Sequence, residues 1–401
     1  MLPRHAGAAL RRLARHYPVL AVTGPRQSGK TTLVRATFPR KPYANLEEPD
    51  TRDFAERDPR GFLARFAAGA VLDEAQRAPA LFSYLQSIVD ADRRPGRFVL
   101  TGSQQFGLLS GITQSLAGRV GLLHLLPLSL AELDRATRPG SIEQLLWRGL
   151  YPSVAAGGVP PGTWYADYMA TYVERDVRQL VNVRDLGAFR RFVRMCAART
   201  AQLVNLSSLA ADCGVTHNTA KAWLSVLETS YIVRLVAPFH RNFGKRLIKA
   251  PKLFFLDTGL AASLVGIREA RDLATHAMRG ALFETWVVGE MLKHGCNRGE
   301  APELHFWRDA AGHEVDLLVE RAGGLRALEI KSGRTIAADW LDGLEHFARV
   351  SGAAEGMLIY GGDQTQERSS ATIYRWRDVA VAAQRLLGLP RAASSPRMRR
   401  S

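Results

Sequence analysis

The apolar run YPVLAV, residues 17–22, leads into GPRQSGKTT, residues 24–32. A strand-like run that ends at a glycine, followed by a lysine and two threonines, fits few folds. It reads as strand, loop and helix, with Val19 to Val22 in the strand and Lys30 to Thr37 in the helix. Gly24 and Gly29 with Lys30 and Thr31 satisfy G-x-x-x-x-G-K-[ST]. Such a loop turns backbone N–H groups inward around phosphate oxygens, and the helix N-terminus behind it adds positive potential. Gln27, Ser28 and Thr32 complete the contact set. Lys30 reaches the β- and γ-phosphates, and the Thr31 hydroxyl ligates Mg²⁺. ATP and Mg²⁺ are the cofactors this pattern implies. A glycine turn of purely structural kind is the alternative.

Two further strands belong with the loop. GAVLDEAQ ends an apolar run at Asp73 and Glu74. A carboxylate there holds the Mg²⁺ shell, and one beside it polarises an attacking water. An acid pair that merely caps the next helix is the bland reading. RFVLTGSQ ends at Thr101, Gly102, Ser103 and Gln104, where Ser103 is placed to sense a γ-phosphate. SLAGRVG supplies Arg119 as a charge-stabilising arginine, acting in cis or across a subunit contact. Strands near 19–23, 43–46, 70–73, 97–101 and 120–125 alternate with helices, which predicts an α/β domain with a parallel sheet covered on both faces. A strand between the loop strand and the Asp-Glu strand is expected.

The middle of the chain is helical, broken near 135–140 and 155–162 by Gly and Pro. LVNLSSLAADCGVTHNTAKAWLSVLETSYIV then reads as a helix from Leu206 to Asp212, a turn at Cys213-Gly214, and a helix capped by Thr216 that runs to about Thr229. A β-branched strand follows, which completes a winged-helix pattern. In a DNA-reading version His217, Asn218 and Lys221 face the groove, while Trp223, Leu224 and Leu227 face the core. The same arrangement also serves as a plain packing module.

The last third carries a second acidic set. LHFWRDAAGHEVDLLVE is a hairpin that places Asp316 inside an apolar strand. RALEIKSG puts Glu329 and Lys331 two residues apart, on one strand face. Burying acids in two apolar strands is costly without a metal or a partner. Asp316 and Glu329 are therefore candidate Mg²⁺ ligands, Lys331 a candidate activator of water, and Glu284 on the preceding helix a fourth group. A salt-bridge knot without catalysis is the alternative.

Three scattered cysteines in no metal spacing argue for a reducing cytoplasm, and His313 beside Glu314 lacks the spacing of a helical zinc site. No run of about 18 apolar residues occurs, and arginines interrupt the opening stretch, so neither a membrane span nor a signal peptide is expected. A formal charge of +16 makes nucleic acid the natural polyanionic partner, although an arginine-rich composition alone also produces it.

As a set, GPRQSGKTTL, VLDEAQRAP, LTGSQQF, SLAGRV with LLPLSLAEL, YVERDV, KAPKLFFLDTGLA, GALFETWV and FWRDAAGHEVDLLVE…LEIKSG resemble prokaryotic AAA+-type ATPases that join an AAA_14 domain to a DUF4143 domain. The resemblance covers nearly the whole chain. It implies ATPase roles for Gly24, Gly29, Lys30, Thr31, Asp73 and Glu74. The last segment is similar to the PD-(D/E)xK, restriction-endonuclease-like core, with Val315 in place of the nominal proline. The domains expected are 1–135 ATPase, 136–190 helical connector, 191–245 winged-helix-like, 246–388 nuclease-like and 389–401 a disordered basic tail. Two functions follow: an ATPase acting on DNA or other nucleic acid, with a metal-dependent nuclease domain, or a nucleotide-controlled switch or scaffold that cuts nothing. Homo-oligomers are expected with either.

Overall fold

The computed structural model describes residues 2–102, 108, 111–112, 114–173, 185–239, 249–352 and 355–388. Ser103, Gln104 and the basic tail 389–401 lie outside them. The chain forms two compact units. The first comprises Met1–Ala237 and Lys249–Pro302; the second contains Pro238, Phe239 and the described residues from Glu303 onward.

Five parallel strands build the heart of the first unit: β1 (Val19–Thr23), β2 (Tyr43–Asn45), β3 (Val71–Asp73), β4 (Phe98–Gly102) and β5 (Val120–His124), in the order β2-β3-β4-β1-β5. The expected intervening strand is β4, between β1 and β3. β1 is buried along its whole length, so its residues alternate between two cores rather than between core and water. Val19 and Ala21 join Phe98, Leu100 and Phe82 on one face. Leu20 and Val22 join Leu10, Leu33 and Leu123 on the other, under helices α1 (Ala6–Leu13) and α2 (Lys30–Thr37). All five strands run the same way, so their C-terminal ends share one edge, and β1 delivers Gly24 there.

Arg4 and Glu132, 128 residues apart, fasten the loop to this scaffold. The Arg4 guanidinium donates to Glu132 Oε1 (3.0 Å), the Ser28 carbonyl (2.6 Å) and the Leu126 carbonyl (2.7 Å). Glu132 is 1% exposed and also accepts the N–H groups of His5 and Ser129, both at 2.8 Å. The ion pair thus holds a backbone oxygen inside the glycine loop itself.

Further along, α3 (Leu206–Cys213) ends at Gly214 in the left-handed conformation (φ 69°), and α4 (His217–Thr229) is capped by the Thr216 side chain, which accepts from Thr219 N–H. Trp223, Leu224 and Leu227 are buried, while His217, Asn218 and Lys221 are exposed. A small antiparallel sheet of β6 (Gln202–Leu203), β7 (Val233–Pro238) and β8 (Lys252–Phe255) accompanies them. The long helix α5 (Arg279–Cys296) packs on β8 within the first unit.

The second unit is a mixed sheet of β9 (His305–Arg308), β10 (Glu314–Arg321), β11 (Gly324–Lys331), β12 (Glu355–Tyr360), β13 (Gln366–Glu367) and β14 (Ala371–Arg375), in the order β13-β14-β12-β11-β10-β9. β9, β10 and β11 are antiparallel neighbours; β11, β12 and β14 are parallel. Helix α6 (Asp342–Ser351) covers one face through Leu344 and Phe347.

Burial alone would raise the Glu132 pKa, but the Arg4 charge and the N–H groups of Ser129 and His5 outweigh it and hold the carboxyl below its ordinary value. A depressed carboxyl stabilises the fold above the unfolded glutamate value, about 4.3, and loses that contribution as pH falls through the lower folded value. Glu132→Ala is therefore expected to destabilise the first unit by about 3–5 kcal/mol at neutral pH. Melting curves across pH should show the gap to wild type shrinking below about pH 4.

Candidate active site

The loop turns through left-handed backbone at Gln27 (φ 63°) and Gly29 (φ 89°), and Gly29 is the N-cap of α2. A Cβ on Gly24 would lie 2.1 Å from the Leu125 carbonyl oxygen, so only glycine lets the loop leave β1 beside the end of β5. Lys30 Nζ donates to the carbonyls of Gly24 (3.1 Å) and Pro25 (2.8 Å), which holds its ammonium over the loop. Ser28 is buried, and its Oγ has no hydrogen-bond partner. A polar cleft of about 550 Å³ opens here, lined among others by Gln27, Gly29, Lys30, Thr31, Thr32 and Glu74.

Asp73 is buried beside the loop and is hydrogen-bonded to Thr31, which lines that cleft. Its Oδ2 accepts the hydroxyls of Thr31 (2.9 Å) and Tyr43 (2.6 Å), and its Oδ1 accepts that of Thr101. Thr101 Oγ1 also accepts the Glu74 N–H at 3.3 Å, so the end of β4 positions both acids. Glu74 occupies left-handed backbone (φ 53°), a costly conformation for a side-chain-bearing residue, and its carboxylate accepts from the Gln76 amide. Burial and the Asp73 carboxylate raise the Tyr43 pKa, which keeps its hydroxyl a donor. Thr31 and Asp73 are the hydroxyl and carboxylate that suit a Mg²⁺ ion, and they already face one another. The sequence offered no sign of Tyr43 or Arg4. Thr101 was readable as the polar end of its strand.

Arg119 requires a correction. It immediately precedes β5, and its carbonyl accepts Val19 N–H at the start of β1. It is therefore at the sheet edge opposite the loop, roughly 15 Å of strand away. Its guanidinium makes two bonds to Asp90, at 2.6 and 2.8 Å. The strand direction, not the residue type, rules out action on a nucleotide of its own chain. Ser103 lies outside the described residues.

In the second unit the register pairs Leu317 with Leu328, and Asp316 and Glu329 are the next residues along β10 and β11. Both acids are buried. Asp316 Oδ2 accepts Ile330 N–H (2.8 Å), and Lys331 Nζ donates to Glu329 Oε1 (2.6 Å). Glu329 Oε2 is buried without a hydrogen-bond partner. Burial first, then the Asp316 charge, raise the Glu329 pKa to about 8 against the opposing pull of Lys331. An orphaned carboxylate oxygen beside a second acid suits a divalent cation. Glu284 belongs to the first unit, where it pairs with buried Lys252 at 2.9 Å.

Residues 16–134 match the AAA domain family AAA_14, 140–271 match a domain of unknown function, DUF8612, and 279–379 match another, DUF4143. The chain is 34% identical over 337 residues to the uncharacterized proteins Mb2031c of Mycobacterium bovis and Rv2008c of Mycobacterium tuberculosis, covering 83% of this chain and 74% of each relative. Among solved structures, the Walker-type ATPase PABY2304 of Pyrococcus abyssi aligns at a TM-score of 0.46 and 14% identity, covering 66% of this chain and 96% of that one. Among the described residues no helix is long and apolar enough to cross a membrane.

Two outcomes are expected. Glu74→Gln should keep nucleotide binding while turnover falls by about 100-fold or more, measured by calorimetry and phosphate release. A cation held between Asp316 and Glu329 would displace the Glu329 proton. Mn²⁺ affinity should then rise with pH and level off above about pH 8, with proton release on binding at neutral pH that Glu329→Gln abolishes.

Proposed function

The chain belongs to the family of P-loop ATPases in which an AAA_14 domain is followed by a DUF4143 domain, and from that premise we propose that it hydrolyses Mg²⁺-bound ATP and uses the cycle on nucleic acid. The observation that carries the ATPase reading is the junction where Thr31, Asp73, Glu74 and Thr101 meet behind the glycine loop. In the proposed reaction a water attacks the γ-phosphorus in line as the bond to the β-phosphate oxygen breaks, and Glu74 takes the water's proton. Lys30 and the N–H groups at the start of α2 offset charge on the β- and γ-oxygens. A bound Mg²⁺, held by Thr31 and the Asp73 side, would supply further charge neutralisation. Ser103 is retained as the γ-phosphate sensor of this proposal, and Arg119 as a residue offered to a neighbouring copy.

Nucleic acid as partner rests on three features. The chain carries a formal charge of +16. His217, Asn218 and Lys221 are exposed on a helix that follows a tight turn. The second unit holds two buried acids and a lysine in the pattern of metal-dependent phosphodiester cleavage, with one carboxylate oxygen unmatched. Asp316, Glu329 and Lys331 carry that chemistry. Glu284, expected from the sequence as the helix acid of that set, lies in the first unit and pairs with Lys252 there.

Lys30→Ala should lower ATP turnover by about 100-fold or more. Asp316→Ala should leave ATP turnover intact and abolish Mg²⁺- or Mn²⁺-dependent nicking of labelled DNA. DNA should stimulate ATP turnover in the wild type. Equal nicking by wild type and Asp316→Ala defeats the nuclease arm. A flat turnover response, with stable complexes formed only in ATP, replaces it with a nucleotide-controlled switch.

A further inference from the structure

A second cluster in the C-terminal unit is used by neither acid centre. Asp309 follows β9 and His313 precedes β10, across a tight turn in which Gly312 adopts φ 94°. The turn is closed twice: Asp309 N–H donates to the His313 carbonyl (3.0 Å), and His313 N–H donates to Asp309 Oδ1 (3.0 Å). The remaining carboxylate oxygen, Oδ2, lies 3.0 Å from His313 Nδ1 and 3.5 Å from Nε2 of His346, which α6 brings in from 33 residues further on. The two imidazoles stack, with centroids 3.8 Å apart and planes 10° apart. The three donor atoms all lie within 4.8 Å of one another.

We propose that Asp309, His313 and His346 form a site for a divalent transition-metal ion of the zinc class, separate from the Asp316–Glu329 acid pair. The donor set carries the choice of ion. Two imidazole nitrogens and one carboxylate oxygen suit Zn²⁺ and its neighbours, whereas Mg²⁺ and Ca²⁺ take oxygen donors. Ligand atoms around a tetrahedral ion with bonds of 2.0–2.1 Å stand roughly 3.3 Å apart. The two carboxylate–imidazole separations, 3.0 and 3.5 Å, bracket that value, and turning the imidazoles out of their stack would aim both nitrogens at one ion beside the carboxylate. Support exists on every side. Two turn hydrogen bonds fix Asp309, and the Trp307 ring, 6.0 Å from the His346 ring, packs against it. His313 is 44% exposed, which leaves a fourth position open to water. An ordinary Asp–His ion pair accounts for His313 but not for a second ring nitrogen converging on the same oxygen. A bound ion would pin α6 to the turn that begins the Asp316 strand. This inference rests on no part of the ATPase reading.

The test uses the full chain, stripped with EDTA and freed of it, then titrated with Zn²⁺ by calorimetry, with Co²⁺ as a visible-absorbance probe. Zn²⁺ should bind at a site additional to any taken by the Asp316–Glu329 pair, about one ion per chain that depends on the two histidines, and Co²⁺ at it should give the absorption of a low-coordinate site. His346→Gln and His313→Gln should each weaken binding at least about tenfold and remove the Co²⁺ band, while Asp316→Asn keeps both. Metal-free melting confirms that each variant folds. If His346→Gln does not, His313→Gln, in the exposed turn, decides alone. Absent uptake, uptake indifferent to both histidine variants, or uptake lost in Asp316→Asn overturns the proposal.

Discussion

The Asp73 carboxylate is the constraint from which the ATPase site is built. It is buried at the end of a three-residue strand, where a carboxyl group is costly unless its oxygens find hydrogen-bond donors. Three hydroxyls do so, and each comes from a different element: Thr31 from α2, Tyr43 from β2 and Thr101 from β4. One side chain therefore fixes the first turn of the loop helix and the strands on either side of β3. The same Thr101 oxygen receives the Glu74 N–H, so the strained backbone of Glu74 is positioned by the group that satisfies its neighbour.

The loop itself is held from outside. Arg4 grips the Ser28 carbonyl from the N-terminal segment, and Glu132 orients Arg4 from beyond β5. At the base of the loop Thr23 Oγ1 meets His124 Nδ1 (3.0 Å) and the Tyr231 hydroxyl (2.8 Å), and the latter two lie 2.9 Å apart. Burial first, then the nearby Arg234 charge, lower the His124 pKa, so the imidazole is a neutral member of this network. Tyr231 occupies left-handed backbone (φ 58°) directly after the second helix of the helix-turn-helix. The residue preceding Gly24 is thus hydrogen-bonded to the segment that joins α4 to β7. A phosphate-binding loop needs its N–H groups preorganised, and these contacts supply rigidity that eight loop residues lack by themselves.

Local periodicity and motif spacing made the loop, the Asp-Glu strand, the helix-turn-helix with its Gly214 and Thr216 boundaries, and the second acid set legible in the sequence. Each is encoded within a short contiguous stretch by patterns of apolar residues and turn chemistry. What stayed hidden depends on partners far apart in the chain. Nothing near Arg4 announces Glu132, and nothing near His313 announces His346. Arg119 shows a different limit. Its residue type suited the chemistry, but its place at the start of a parallel strand, away from the loop of its own chain, leaves only the reading across a subunit contact. The expected domain boundary at 246 and the compact units also differ, because α5 packs on β8 and so stays with the first unit.

The two acid centres show how the same residue type is set to different tasks. Asp73 is matched by hydroxyls that donate to it and turn with little cost to accommodate a cation's water shell. Glu329 has one oxygen bound to Lys331 and the other unmatched, with Asp316 on the facing strand. For Glu329, burial beside a like charge favours the neutral form. Glu329 accordingly holds its proton into the neutral range, while its neighbour supplies an acceptor but no donor. A sheet that only needed packing would be more stable with apolar residues at both positions, since burying polar groups without full compensation costs free energy at no structural gain. A divalent charge in place of that proton would offset the cost, which is the physical argument behind the cation site proposed for the second unit.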